Sequence, residues 1–151
     1  MRTSIFLATL TLTFVNVIFI ASSRPQPTKQ NQLLIKNLIF PEYHVHIINE
    51  LRNDILNVHC KSENDDLGFH TLAKGEAFEF HFRVDFFGAT KFWCTFNWGA
   101  NHGGEYRVFW YGIGLSHKCN FSDCTWFARD DAIYLKNKET NEDEKYYPWQ
   151  S

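Results

Sequence analysis

His44, His46 and Glu50 are the first residues in this chain of 151 whose types and spacing could do chemistry. They have the spacing of the first metal motif of cupins, and on a strand all three would share one face. The glycines that flank that motif are missing, with Leu38 and Asn57 in their places, and no downstream glycine, proline and histidine motif supplies a further ligand. The expectation is an exposed polar strand face with no metal and no cofactor. A ribonuclease would need two histidines flanking a phosphate and a cation for the transition state. His59 with Lys61, or His117 with Lys118, could be conscripted, but neither pair carries a motif. Nucleophile elbow and phosphate loop are both absent. The acidic run of Glu63, Asn64, Asp65 and Asp66 lacks the alternating oxygens and central glycine of a calcium loop, and reads as a solvated turn. The residues point to a protein that is not an enzyme.

Four cysteines, Cys60, Cys94, Cys119 and Cys124, are better used as two bridges than as nucleophiles or ligands. Of the three connectivities possible, strand geometry favours Cys94 with Cys119. A strand ending near Tyr111 finishes beside the start of an antiparallel neighbour at Lys91, which leaves Cys60 with Cys124. Asn120, Phe121 and Ser122 form the sole glycosylation sequon, on a surface loop between two cysteines. Trp93, Trp98, Trp110 and Trp126 could make a flat sugar-stacking platform, but all except Trp93 stand in register with core aromatics or cysteines, which favours packing.

The elements that must position these residues are strands. Residues 1–23 read as a secretory signal: Arg2, an apolar stretch from Ile5 to Ile20, then Ala21, Ser22 and Ser23 as a small-residue cleavage site. The apolar run is short for a bilayer and contains Asn16, so no stable membrane insertion is expected once the signal is cleaved. Removing it leaves 128 residues, one domain's worth, with a net charge of −3. That balance argues against a nucleic-acid surface. Residues 24–43 read as a flexible lead-in and 44–151 as the domain. Val45, Ile47, Asn49 and Leu51 alternate with His46, Ile48 and Glu50, Phe78, Phe80 and Phe82 with Glu79, His81 and Arg83, and Phe92, Cys94, Phe96 and Trp98 share one face against Lys91, Thr95 and Asn97. No stretch makes a convincing amphipathic helix. About eight short strands with one dry face each imply an all-β fold, two antiparallel sheets packed as a sandwich and stapled by two disulfides. Segments 101–105, 116–123 and 136–145 read as exposed loops open to a binding role.

His59, Cys60, Lys61 and Ser62, followed by Asp65, Asp66, Leu67 and Gly68, resemble the hallmark of the plant self-incompatibility protein family, the secreted S-protein homologues. The resemblance extends through Val45, Ile47, Asn49 and Leu51; Gly75, Phe78, Phe80 and Phe82; Thr90, Trp93, Cys94 and Trp98; and Cys119, Cys124 and Trp126. Ala132 departs from it, since the family usually has glycine there, which puts the tightness of that turn in question. The resemblance implies a small secreted β-sandwich without enzyme activity or cofactor. In some members that protein is a pistil ligand recognised by pollen. The functional expectation is a monomeric extracellular ligand for a cell-surface receptor, with a lectin-like module or a small secreted hydrolase as alternatives.

Overall fold

The computed structural model describes residues 26–150. The segment 1–23 expected to be a secretory signal therefore lies outside the described residues. Nine strands form two sheets: β1 (Glu42–Asn49), β2 (Leu56–Lys61), β3 (Asp66–Leu72), β4 (Ala77–Arg83), β5 (Lys91–Trp98), β6 (His102–Trp110), β7 (Asp123–Arg129), β8 (Ala132–Asn137) and β9 (Glu142–Tyr147). One sheet has the order β4-β1-β7-β8-β9, the other β3-β2-β5-β6. All neighbours run antiparallel except β1 and β7, which are parallel.

Alternation explains the strands. In β1, Tyr43, Val45, Ile47 and Asn49 point inward and are buried, while Glu42, His44, His46 and Ile48 face out. Inward residues of both sheets meet in an aromatic core: Phe80 and Phe82 pack on Phe92, and Phe82 and Tyr43 on Phe109. Trp126 is fully buried and donates its indole N–H to Val108 O across the sandwich at 2.9 Å. Each such aromatic contributes about 1.5–3 kcal/mol by burial. Ala132 opens β8 directly opposite Arg129, so Asp130 and Asp131 alone make the turn and glycine is not required there.

Two helices depart from the all-strand expectation. α1 (Lys29–Ile39) replaces the flexible lead-in, capped by Thr28 Oγ1 accepting from Asn31 N at 3.2 Å and ending just before Pro41. It buries no residue, and Arg83 ties it down by donating to Asn37 Oδ1 and Phe40 O. α2 (Ile113–Lys118) is too short to show a helical period in sequence, yet it buries Leu115 and carries the chain from one sheet to the other. Among the described residues no helix is long and apolar enough to cross a membrane.

The strand directions place the connections at two ends. Residues 62–65, 84–90, 111–122 and 138–141 lie at one, which also receives α1 and is called the α2 end below. Residues 50–55, 73–76, 99–101 and 130–131 lie at the opposite end.

Candidate recognition surface

The cysteines pair differently from the sequence expectation. Cys60 is bonded to Cys94 and Cys119 to Cys124, with Cα separations of 4.0 and 4.5 Å. β2 and β5 are neighbours and put Cys60 directly opposite Cys94. α2 meanwhile carries Cys119 away from β5, so its reach ends at Cys124 on the first strand it meets. The bridges Cys94 to Cys119 and Cys60 to Cys124 are therefore corrected.

The candidate catalytic groups are each committed locally. His44 and His46 face out from β1, and their Nδ1 atoms share the Glu79 carboxylate at 3.3 Å each. Glu50 does not join them, since Arg129 Nε donates to it at 2.6 Å. Among the described residues no group of three or more His, Cys, Asp or Glu is arranged to hold a metal. His59 Nε2 lies 2.6 Å from Asp66 Oδ1, whose carboxylate is held below the ordinary aspartate range, first by the Gly68 N–H and then by His59. Lys61 pairs with Glu105, His117 with Glu139 and Lys118 with Glu144. The tryptophans form no shared platform. Trp126 is buried, Trp98 stacks on His102 at the opposite end, and Trp110 lies under Arg107 near the α2 end.

The expected binding segments also separate. Segment 136–145 is mostly β8 and β9, and its charges are used internally: Asp143 takes Arg129 and Lys136, Glu144 takes Lys118, and Lys145 takes Asp131. Segment 101–105 opens β6 at the opposite end, too far round the sandwich to act with 116–123.

What the sequence reading missed is a concentration of exposed apolar side chains at the α2 end. Phe86 and Phe87 are 71% and 89% exposed, Ile113 is 80% exposed, and Tyr111 and Phe121 are each about half exposed. The loop that presents the phenylalanines is held by its own polar atoms. Asp85 Oδ1 accepts from Phe87 N at 2.8 Å and Ala89 N at 2.9 Å, and Thr90 Oγ1 donates to Asp85 Oδ2 at 3.1 Å. These bonds, with Ala89 N–H foremost, hold the Asp85 carboxyl below the ordinary aspartate range. Gly88 takes φ +65 with the Tyr111 ring 2.8 Å from where a Cβ would sit, so only glycine fits there. Beside this loop a cleft of about 320 Å³ is lined by Asn64, Asp65, Phe82, Lys91, Phe92 and Trp93. Asp85, two phenylalanines and Gly88 in four consecutive residues were the sequence signal: apolar residues inside turn chemistry have no core to enter.

A family model for plant self-incompatibility protein S1 matches residues 44–149, most of the chain. The chain belongs to the plant self-incompatibility protein S1 family. S-protein homolog 2 of Arabidopsis thaliana is 34% identical over 146 residues, covering 90% of this chain and 91% of that protein. S-protein homolog 7 of the same plant is 39% identical over 115 residues, covering 74% and 84%. A solved SPH (self-incompatibility protein homologue) structure superposes with a TM-score of 0.55 at 27% identity, covering 73% of this chain and 96% of that one. It represents a widespread family of small, highly stable, secreted proteins from plants. This S-protein homologue is likewise a small secreted β-sandwich with two disulfides. In it the hallmark residues His59, Ser62, Asp65, Asp66 and Gly68 build one turn: Ser62 Oγ accepts from Asp65 N at 2.9 Å and Asp66 Oδ1 from Gly68 N at 2.9 Å. They shape a corner of the sandwich beside the cleft.

Proposed function

We propose that this S-protein homologue is a monomeric, non-catalytic extracellular ligand that engages the ectodomain of a cell-surface receptor through its α2 end. One observation carries the reading: Phe86 and Phe87 stand in water on a loop whose shape is already fixed by Asp85, Gly88 and Thr90. Exposed aromatic side chains lose little conformational freedom on binding, and a pre-shaped loop lowers the ordering cost further. A core stapled by two bridges tolerates such a surface. The fitting partner is a protein surface with an apolar pocket and a polar rim, since Glu63, Asp65, Lys118, Lys138 and Glu139 stand on the loops of this end.

The test is binding of labelled protein to intact plant cells, competed by unlabelled protein and repeated after surface proteolysis. Phe86→Ala with Phe87→Ala is expected to lower affinity by a factor of about 30 or more while melting as wild type does. Arg52→Glu, at the opposite end, is expected to bind normally. Equal binding by all three proteins would overturn the reading. A lectin-like second reading rests on the cleft beside Trp93, where an aromatic wall faces Asn64, Asp65 and Lys91. Binding that survives surface proteolysis but is lost in Trp93→Ala, with selective retention on a glycan array, would replace the first reading with the second.

A further inference from the structure

Asn120, Phe121 and Ser122 are exposed enough to reach and yet locked in shape. Asn120 and Phe121 both lie in the left-handed region, at φ 48 and φ 58. Asparagine tolerates that region better than most side chains, but phenylalanine rarely adopts it, so the surrounding structure must hold the pair. It does so through every backbone amide of the sequon. Asn120 N donates to His117 O at 2.9 Å, Phe121 N to Ser116 O at 2.7 Å, and Ser122 N to Cys119 O at 3.1 Å. Ser122 O in turn accepts from His44 N of β1 at 2.7 Å, and the Ser122 hydroxyl is engaged by the Asp123 carboxylate. The bridge from Cys119 to Cys124 encloses the whole sequon, with a sequence separation of 5.

A glycosyl transferase that acts on such a motif must draw the acceptor segment out of the fold and bind the free hydroxyl two residues on. Neither is open to it here. We propose that Asn120 is an N-glycosylation site that can be used only before the Cys119–Cys124 bridge closes, so that glycan attachment and bridge formation compete on the same short segment. In the first reaction Asn120 Nδ2 bonds to C1 of an oligosaccharide carried on a lipid pyrophosphate. The C1–O bond to the pyrophosphate breaks, the lipid pyrophosphate leaves, and the amide proton passes to a base of the transferase. In the second, two thiols give up two protons and two electrons to a disulfide of the secretory lumen, which becomes a dithiol. The two thiols of so short a loop meet in well under a microsecond, whereas their oxidation takes seconds or longer, so the supply of oxidant sets which reaction comes first. Secreted protein is then a mixture, one fraction carrying a glycan beside Phe121 and the other bare.

The experiment is synthesis of the full chain into microsomes under oxidising conditions, with occupancy of Asn120 measured on all translocated chains by glycopeptide mass spectrometry. Chains that fail to fold are counted, so misfolding cannot hide the result. Wild type is expected to be occupied in part. Adding dithiothreitol during synthesis, or substituting Cys119→Ser with Cys124→Ser, is expected to raise occupancy about twofold or more. Cys60→Ser with Cys94→Ser is expected to leave it at the wild-type level, and Asn120→Gln to abolish it. Occupancy that is unchanged by reductant overturns the proposal. So does an equal rise in the Cys60 and Cys94 variant, which would make general folding the barrier and not this bridge.

Discussion

At the scale of single residues, the least obvious stabiliser is Asn49, a polar side chain with no exposure in the first strand. Its amide nitrogen donates to Asp54 O at 3.0 Å and Leu72 O at 2.9 Å, and its oxygen accepts from Leu51 N at 2.9 Å. It therefore satisfies three backbone groups where the chain leaves one sheet for the other. Asn49→Ala strands those groups, and denaturant titration is expected to show a loss of ~3 kcal/mol. The hallmark Asp66 acts through charge. Its carboxyl titrates lower in the folded protein than in the unfolded chain, so its contribution is present above the ordinary aspartate pKa and is lost as pH falls through the folded value. Asp66→Asn should therefore flatten the fall of stability as pH drops below the ordinary aspartate pKa, and a melting series through that acid range checks it.

At the scale of elements, β4 and the loop after it divide the labour between fold and surface. Phe80 is buried against Phe78, Phe82 and Phe92, and Phe80→Ala should cost about 3–5 kcal/mol by cavity formation. Phe86 and Phe87, three and four residues beyond the strand's end, contribute little to that core, and their removal should change stability by less than about 0.5 kcal/mol. The β8–β9 hairpin reverses the expectation drawn from its charges. Asp143 is bonded to Arg129 at 2.6 Å and Lys136 at 3.2 Å, so Asp143→Lys should lower stability by about 1 kcal/mol, measured by thermal melting. A free recognition loop would have tolerated it.

At the scale of the molecule, two bridges and the end of the chain close the sandwich. The C-terminal residues fold over the edge of the second sheet: the Tyr106 hydroxyl donates to Pro148 O and accepts from Gln150 N, and Trp149 Nε1 donates to Arg129 O. The bridges are unequal, spanning 34 and 5 residues. Chain entropy makes loss of Cys60–Cys94 the costlier by roughly 1–2 kcal/mol, which paired serine variants in urea can measure. The sequence alone determined the two dry faces, the β class, the buried register of Val45, Ile47 and Trp126, and the turn at Asp66, because side-chain alternation and turn chemistry act between near neighbours. Only the tertiary structure decided which strands lie side by side, and with that the partner of each cysteine. It alone joined Glu50 to Arg129 and parted it from His44, and gathered Phe86, Phe87, Tyr111, Ile113 and Phe121 at one end. Those outcomes rest on contacts between residues far apart in the chain, and no local pattern of residue types records strand order.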